Sequence, residues 1–470
     1  MFDFIVLNLK YYRQFWQIKV MTEHSLLILF ILSTFSLLLS GYPVGFVLAG
    51  ASLTFSLIAS FIGVFDVSFL MAFPNRLFGI MTNQNLLAVP LFIFMGIILE
   101  KTKVAENLLK AMNMIYNNTS GGYAISVVVV GALMGASTGI VGASVVTLGL
   151  LSLPVMIKNN YPKHLTCGVI CASGTLGQII PPSLVLILLA DVLSAAYQQA
   201  QLNMGIFSPE TVTIAELFAG AVIPGILLPI LYIIYIKSFY NNLKITASIE
   251  DNLSLIKSFF PPILLIFLVL GSIVLGIATP SEAASLGVFG AILISLIQKQ
   301  INFSILNNCS RETVKLTSMI FMILIGATLF SLVFRGLNGE EAIQSILLND
   351  SVNKFYTLFI VLFLMFLLGF ILDFIEIIFI VIPIFGPILF TLGFDPIWIG
   401  ILIGMILQTS FLTPPFGFSI FYLRGVSPNN IETKEIYKGV LPFVLIQLFV
   451  VLLILFIPGL ATLLPSIIFN

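Results

Sequence analysis

Residues 131–156 read GALMGASTGIVGASVVTLGLLSLPVM, and residues 167–189 read CGVICASGTLGQIIPPSLVLILL. Both are apolar runs that are interrupted by glycine, serine and threonine. In the first run, the cluster GASTGIVGAS at 135–144 separates two apolar arms. Each arm is shorter than the roughly 20 helical residues that cross a bilayer. Two half-length arms around a small, polar tip predict a re-entrant hairpin.

The second run predicts a membrane helix that is broken near its middle. Small and polar residues at 173–177 and a double proline at 181–182 interrupt it. Non-helical backbone at membrane depth is tolerated only where it is buried in protein or lines a water-filled cavity. Freed carbonyls and hydroxyls bind cations, and half-helix N-termini favour anions, so we expect a binding site here.

Composition fixes the class of protein. Of the 470 residues, 59% are hydrophobic and 9% are charged, whereas soluble domains carry about 25% charged residues. The sequence therefore predicts an all-α polytopic membrane protein. The net charge is zero, so nothing points to nucleic acid. A Walker motif, a Ser-His-Asp arrangement and an HExxH motif are all missing from the sequence, which predicts a protein that is not an enzyme.

Apolar segments occur in two similar sets. Pro181-Pro182 recurs as Pro414-Pro415, and Pro154 recurs as Pro387, both at an offset of 233 residues. These matches predict a duplication. The first set covers 25–40, 44–63, 86–100, an amphipathic stretch at 104–116, hairpin arms at 121–134 and 140–156, a broken helix at 165–190 and a span at 214–236. The second set covers 258–277, 283–298, 316–334, hairpin arms at 355–372 and 375–390, a broken helix at 397–423 and a span at 439–463.

The domain organisation follows from these sets. We predict a first repeat at 25–240, with its hairpin at about 121–156, and a second repeat at 258–470, with its hairpin at about 355–390. A linker at 241–257 joins them. Residues 1–24 are interpreted as an N-terminal extension or a misplaced start, because 1–20 carry three basic residues and no membrane span.

Charge predicts the orientation. Loops rich in Lys and Arg lie in the cytoplasm, and on both sides of the first hairpin the loops are basic. Outside the loops assigned to the cytoplasm, only Arg76, Arg335 and Lys354 are basic, apart from the N-terminal residues. The first hairpin therefore enters from the cytoplasm and the second from the periplasm. Each half has five crossings, an odd number, so the second repeat is inverted, as in secondary transporters.

Several polar residues leave two interpretations open. Asp373 and Glu376 lie at the second hairpin tip, where a carboxylate is costly and usually functional. They either form or stabilise the site, or they are solvated at the periplasmic interface. Thr279 and Glu282 predict a capping box. Arg335 ends an apolar span, as does a second arginine at 424, and each either snorkels or attracts an anionic substrate.

Two further features are weighed in the same way. Cys167 and Cys171 are four residues apart on an apolar helix and are interpreted as small buried hydrophobic residues, not as a metal or redox pair. The polar insert at 191–212 has no Lys or Arg and is predicted to face the periplasm. It is either a solvated loop or a docking surface for a partner protein. Its segment 208–211 is expected to cap the next helix.

Four motifs resemble a known family. They are GASTGIVGASVVTLGLLSLPVM at 135–156, CASGTLGQIIPPS at 171–183, ATPSEAASLG at 278–287 and LQTSFLTPPFGFSIFYLRGV at 407–426. The sequence resembles the large membrane subunit of tripartite ATP-independent periplasmic (TRAP) transporters from about residue 25 to the C-terminus. The ending and the insert resemble the branch labelled for mannitol, chloroaromatic or 2-oxo acid substrates.

The resemblance implies a mechanism and partners. It implies sodium-driven import of a small organic acid anion across the bacterial inner membrane, by an elevator motion of the hairpin-bearing part. No cofactor is expected apart from sodium as the coupling ion. The implied partners are a small four-helix membrane subunit and a periplasmic solute-binding protein. The alternative is a channel or a scaffold subunit, but a channel needs a continuous polar lining, whereas polarity here is concentrated at two hairpins and two breaks.

The resemblance also implies that carbonyls and hydroxyls at the hairpin tips and helix breaks hold sodium. The candidate ion- and substrate-binding residues are Gly135, Ser137, Thr138, Gly139, Gly142, Ser144, Ser173, Gly174, Thr175, Gly177, Pro181, Pro182, Asp373, Glu376, Gln408, Thr409, Ser410, Thr413, Pro414 and Pro415.

Overall fold

The computed structural model describes residues 23–102, 104–116, 119–240, 252–347 and 353–469. Helices account for most of these residues, and no strand occurs among them. Within the same ranges, eight helices are long and apolar enough to cross a membrane, which confirms the predicted all-α membrane fold. One of them, Val141–Lys158, is the second arm of the first predicted hairpin, so the expectation that this arm is too short to span was wrong. The predicted extension lies outside the described residues except for its last two positions. The predicted linker lies outside them up to residue 251.

The first half of the chain folds into helices that follow the predicted order. In the described part they are α1 (Glu23–Leu38), α2 (Val44–Phe61), a 3-10 turn (Val67–Ala72), α3 (Phe73–Thr82), α4 (Ala88–Lys101), α5 (Val104–Ile115), α6 (Gly122–Thr138), α7 (Val141–Lys158), α8 (Lys163–Thr175), a 3-10 turn (Leu176–Gln178), α9 (Leu184–Asn203) and α10 (Ile214–Phe239).

The second half repeats this order. In the described part its helices are α11 (Asn252–Val274), α12 (Pro280–Ile297), α13 (Phe303–Gly336), α14 (Gly339–Leu347), α15 (Lys354–Leu368), α16 (Phe374–Thr391), α17 (Pro396–Leu412), α18 (Phe418–Val426), α19 (Thr433–Phe456) and α20 (Gly459–Phe469). Hairpin 1 is α6 and α7, and hairpin 2 is α15 and α16. The two broken helices are α8–α9 and α17–α18.

Two helices are longer than their apolar segments predict. α9 continues to Asn203, through the first part of the polar insert. α13 begins at Phe303, before the predicted start at 316, and its 34 residues correspond to about 51 Å at 1.5 Å per residue. That length exceeds the hydrocarbon core of about 30 Å. Apolar runs underestimate such helices because their ends continue into polar surroundings.

Helix caps confirm one prediction and correct another. Glu282 donates its backbone N–H to Thr279 Oγ1 at 3.3 Å, and Glu282 Oε2 accepts from the Thr279 N–H at 2.8 Å, which is the predicted capping box. The cap of α10 is Thr213, not segment 208–211, since its Oγ1 accepts from the Glu216 N–H at 3.2 Å. The prediction was wrong because α10 begins at Ile214, and a cap must directly precede the helix.

The helices pack into two groups. The frame helices are α2, α4, α11, α12 and α13, in which α2 packs on α13 and α4 on α12. A Cβ on Gly45 would lie 2.6 Å from the Met322 carbonyl oxygen, so only glycine permits the close crossing of α2 and α13. The hairpin group is α6–α10 and α15–α19. The two groups meet where α4 contacts α6 and where α13 contacts α16.

Packing within the hairpin group is reciprocal between the two halves. α7 packs on α18, and its counterpart α16 packs on α9. In the same way α8 packs on α19, and α17 packs on α10. Each contact therefore joins a helix of one half to a helix of the other half. In every case the partner is the counterpart of the helix two places later in the same half. This exchange brings both hairpins and both broken helices into one packed unit.

Candidate functional site

The tip of hairpin 1 is a two-residue connection. α6 ends at Thr138, and Gly139 adopts a left-handed conformation with φ +62°. Glycine is the residue that enters this region without steric cost. The Gly139 N–H donates to the Gly135 carbonyl at 2.9 Å, and a Cβ on Gly139 would lie 2.9 Å from the Leu184 nitrogen. The tip is thus pressed against the first residue of α9.

Hairpin 1 contacts the first helix break backbone to backbone. A Cβ on Gly135 would lie 2.5 Å from Gly177 Cα, and a Cβ on Gly177 would lie 2.6 Å from Gly135 Cα. A Cβ on Gly131 would lie 2.5 Å from Ser173 Cβ. The structure therefore brings together the predicted residues Gly135, Ser173 and Gly177. The side chains of Ser137 and Thr138 lie outside the described part of the chain.

In the first break, the chain leaves α8 through the 3-10 turn and re-enters a helix at Leu184. Pro181 and Pro182 have no N–H, so the carbonyls four residues earlier lose their helical donors. One of these carbonyls, that of Gln178, accepts the Ser183 hydroxyl at 2.8 Å. The break is therefore partly satisfied by the chain itself.

The second break repeats this arrangement. The Ser419 hydroxyl donates to the Phe411 carbonyl at 2.9 Å, and Phe411 lies 233 residues after Gln178, the same offset as the double prolines. Pro414 and Pro415 free that carbonyl as the first proline pair does. A serine hydroxyl thus satisfies the equivalent carbonyl in both breaks. Sequence analysis missed both serines, because each is identified by its contact with the break.

The hydroxyls predicted to bind a cation at the second break donate to helix carbonyls. Thr409 Oγ1 donates to the Met405 carbonyl at 2.7 Å, Ser410 Oγ to that of Leu407 at 2.9 Å, and Thr413 Oγ1 to that of Thr409 at 2.7 Å. A hydroxyl that donates its proton keeps two lone pairs. These oxygens therefore still have lone pairs that a cation could accept.

Buried polar groups without partners flank both breaks. The amide groups of Gln178 and Gln408 are buried and make no hydrogen bond within the described part of the chain, and neither does the Ser173 hydroxyl. Leaving a buried polar group unsatisfied costs about 1–3 kcal/mol. Such groups beside freed carbonyls fit a site that is completed by a water molecule or a cation.

The tip of hairpin 2 is built differently. Its connection runs from Gly369 to Asp373, and Asp373 and Glu376 form a capping box at the start of α16. Asp373 Oδ1 accepts from the Phe374 N–H at 2.7 Å, and Glu376 Oε2 accepts from the Asp373 N–H at 3.2 Å. Both carboxylates are half-buried. They hold the hairpin tip, and Gly369 packs directly on Ser410 of the second break.

Glu376 also faces a cavity between the hairpin group and the frame helices. The cavity has a volume of about 590 Å³, and its lining includes Tyr42, Lys315, Met322 and Glu376. Lys315 belongs to a basic stretch with Lys299 and Arg311, which the positive-inside rule places in the cytoplasm. The tip of hairpin 2 is therefore next to a cavity on the predicted cytoplasmic side.

Two residues that the sequence analysis missed connect these elements. A Cβ on Gly142 of hairpin 1 would lie 2.9 Å from Tyr422 Cζ. Tyr422, in the second half of the second broken helix, thus packs directly on hairpin 1. Gln447 in α19 donates to the Thr175 hydroxyl at 3.4 Å and to the Tyr232 hydroxyl at 2.8 Å. A lone glutamine in an apolar span was the sequence feature that could have revealed it.

The remaining candidates have plain structural roles. Cys167 and Cys171 are buried, as predicted for small hydrophobic residues. Arg335 Nε pairs with Glu340 Oε1 at 2.6 Å, and Arg424 Nη1 donates to the Ile431 carbonyl. Among the described residues, no three His, Cys, Asp or Glu side chains cluster so as to hold a metal ion. Oxygen atoms of carbonyls, hydroxyls and amides are the ligands that this site offers.

The sequence matches one protein family over most of its length. Residues 31–460 match the family described as "Tripartite ATP-independent periplasmic transporter, DctM component". A C4-dicarboxylate TRAP transporter large permease protein of Rhodobacter capsulatus is 27% identical over 442 residues, which cover 92% of this chain and 97% of that protein. A sialic acid TRAP transporter large permease protein of Vibrio cholerae is 25% identical over 437 residues, covering 92% and 96%.

Solved structures show a similar fold at low sequence identity. The YdaH transporter of Alcanivorax borkumensis superposes with a TM-score of 0.60 at 14% identity, covering 84% of this chain and 87% of that one. MtrF of Neisseria gonorrhoeae superposes with a TM-score of 0.58 at 13% identity, covering 82% and 83%. Both proteins share the helical fold described above.

Proposed function

The chain belongs to the family of the DctM component of tripartite ATP-independent periplasmic transporters, and on that premise we propose that it imports a small organic acid anion together with sodium ions. It is a multi-pass subunit of an inner-membrane transporter and not an enzyme. The sequence relatives named for C4-dicarboxylates and sialic acid transport carboxylates. We infer that the substrate of this chain also carries a carboxylate.

The observation that carries the sodium proposal is the pair of unpartnered glutamine side chains beside the matched breaks. Gln178 and Gln408 are fully buried, and freed carbonyls and hydroxyl lone pairs lie on the same segments. Hard cations prefer such oxygen ligands.

The packing also supports a moving hairpin group. Each hairpin contacts both breaks, whereas the frame helices meet this group along the α4–α6, α13–α16 and α4–α9 contacts and at α11. A rigid-body displacement of the hairpin group against the frame would carry the whole site together. We therefore propose an elevator motion, in which the frame helices stay fixed and the hairpin group moves, so that the site opens alternately to the two sides of the membrane.

We propose a small membrane subunit and a periplasmic binding protein as partners. On the predicted periplasmic side, Gln201 braces the loop after α9 with two hydrogen bonds. Its Nε2 donates to the Glu210 carbonyl at 3.1 Å, and its Oε1 accepts from the Glu210 N–H at 2.9 Å. The Phe207 side chain in this loop is 94% exposed. An exposed aromatic residue on a braced loop favours the docking interpretation of this insert.

Docking at this loop predicts a selective effect of Phe207→Ser. The concentration of binding protein for half-maximal uptake should rise, because an apolar contact is lost, whereas the sodium dependence should not change. Met204→Ser, at the start of the same loop but half as exposed at 46%, is the matched control. If Phe207→Ser leaves that concentration unchanged, the loop does not dock the binding protein.

Transport by the reconstituted complex tests the proposed function. Proteoliposomes that contain this chain and the small subunit, supplied with the binding protein, should accumulate the acid against its gradient when sodium is higher outside. Accumulation also separates a transporter from a channel, which only equilibrates its solute. Equal uptake driven by a proton gradient in sodium-free buffer would contradict the sodium proposal.

A further inference from the structure

A second cavity lies where α3 and α13 face α9 and α16. Its volume is about 250 Å³, and its lining includes Arg76, Arg335, Ser331, Asp191 and Phe379. Phe379 follows Glu376 of the hairpin 2 tip by three residues, a rise of about 4.5 Å along α16. The cavity therefore adjoins the candidate site, but on the opposite side from the cavity that Glu376 faces.

The charge pattern of this cavity is unusual for its side of the membrane. Arg76 and Arg335 are two of only three basic residues in the loops predicted to be periplasmic. Positive residues are disfavoured in such loops, yet both arginines line the same cavity. Two guanidinium groups in one cavity need either acidic partners in the protein or an anionic ligand.

The two arginines differ in their partners. Arg335 Nε pairs with Glu340 Oε1 at 2.6 Å, which fixes its position. Arg76 is half-buried and makes no ion pair or hydrogen bond within the described ranges. Burial lowers the pKa of the Arg76 guanidinium and the charge of Arg335 lowers it further, while the Glu340 carboxylate offsets part of this lowering. An anion between the two groups would relieve both effects.

The other polar groups leave Arg76 available. The Asp191 carboxylate accepts from Asn83 Nδ2 at 2.7 Å and forms no ion pair with either arginine among the described residues. The Ser331 hydroxyl lines the cavity and makes no hydrogen bond among the described residues. The wall contributed by α16 is apolar, with Phe379 and Pro383, and a low local dielectric strengthens a charge-assisted hydrogen bond.

We propose that Arg76 binds the carboxylate of the transported acid in this cavity, with Arg335 held by Glu340 as a second positive group and Ser331 as a neutral donor. This inference rests on the proposed function and assigns the outer binding position of the substrate. A guanidinium group presents parallel N–H donors that match a carboxylate in a bidentate pair, which a lysine cannot reproduce.

Direct binding to the purified two-subunit complex tests this assignment. The probes are succinate and sialic acid, each titrated in sodium chloride while the melting temperature is recorded, with choline chloride at equal ionic strength as the reference. At least one probe should stabilise the wild type. Arg76→Gln should weaken its binding about 10-fold to 100-fold, because the bidentate pair between the guanidinium group and the carboxylate is lost.

Control variants separate a binding role from a structural one. Arg76→Lys keeps the charge and should bind the acid with intermediate affinity. Arg311→Gln removes an exposed arginine at the start of α13 and should bind as the wild type does. A purely structural Arg76 would lower the melting temperature without acid and leave the affinity unchanged. If both Arg76 variants bind the acid as tightly as the wild type, or if neither probe binds the wild type, the assignment is overturned.

Uptake by the wild-type complex distinguishes a failure of the Arg76 assignment from a failure of the proposed function. Wild-type uptake together with unchanged binding by the Arg76 variants overturns only the role of Arg76. An absence of uptake of any acid by the wild type would overturn the proposed function, and this inference would fall with it.

Discussion

The two hairpin tips occupy equivalent places and are stabilised in different ways. The tip of hairpin 1 is a two-residue turn at Gly139, and α6 touches the first break through Gly135 and Gly177 with no side chain between them. The tip of hairpin 2 is a longer connection that ends in the capping box of Asp373 and Glu376. Hairpin 1 therefore depends on the absence of side chains, and hairpin 2 depends on two carboxylates.

This difference shows that equivalent places in the two predicted repeats are stabilised by different interactions. Close backbone approach at hairpin 1 leaves carbonyl oxygens near the break without any charged group. At hairpin 2, the aromatic ring of Phe411 packs on those of Phe374 and Phe418, with centroids 6.1 Å and 4.9 Å apart. The carboxylates there compensate the N-terminal N–H groups of α16. We therefore expect steric substitutions to damage hairpin 1 most and charge substitutions to damage hairpin 2 most.

The largest effect is expected for Gly135→Val. Its Cβ would lie 2.5 Å from Gly177 Cα and nitrogen, and backbone atoms cannot move aside as a side chain does. Overpacking of this kind costs about 1–3 kcal/mol or more, so uptake should be lost and the melting temperature should fall. Gly50→Val in α2 is the matched control, since nothing lies within 4 Å of its Cβ. Normal uptake by Gly135→Val would refute the backbone contact.

An intermediate effect is expected for Asp373→Ala at hairpin 2. Loss of a helix N-cap costs about 0.5–2 kcal/mol, and here the cap holds the tip beside the second break. The sodium concentration for half-maximal uptake should rise. Thr279→Ala removes the cap of the exposed box at α12 and should lower stability by a similar amount without changing sodium dependence. Equal sodium dependence in the two variants would show that the hairpin 2 carboxylates only cap a helix.

The smallest effect is expected for the matched serines. Ser183→Ala and Ser419→Ala each remove one hydroxyl donor from an equivalent break carbonyl, with a cost of about 1 kcal/mol. If the breaks are equivalent, the two variants should shift the sodium dependence to a similar extent. Ser183→Ala should lower the melting temperature more, because Ser183 Oγ also accepts from the Leu186 N–H as the N-cap of α9. A changed sodium dependence in only one variant would show that the halves have diverged at the breaks as well as at the tips.

Sequence alone located the hairpins and breaks, because small residues and prolines act locally on the backbone. The polar clusters at 135–144 and 173–177 and both double prolines lie where helices end. A lone glutamine in an apolar span marks Gln447, but its contact with Thr175 and Tyr232 joins residues far apart in the chain, and no local pattern identifies these partners. The contact of Tyr422 with hairpin 1 was missed for the same reason.

The sodium response of the two break glutamines tests the central claim most directly. Gln178→Leu and Gln408→Leu replace buried, unpartnered amides with apolar groups of similar size, which should be neutral or stabilising in the absence of sodium. The melting temperature of each variant is compared in sodium chloride and potassium chloride. We predict that sodium stabilises the wild type and stabilises both variants much less. Variants that keep the full sodium-dependent rise would contradict a sodium site at the breaks.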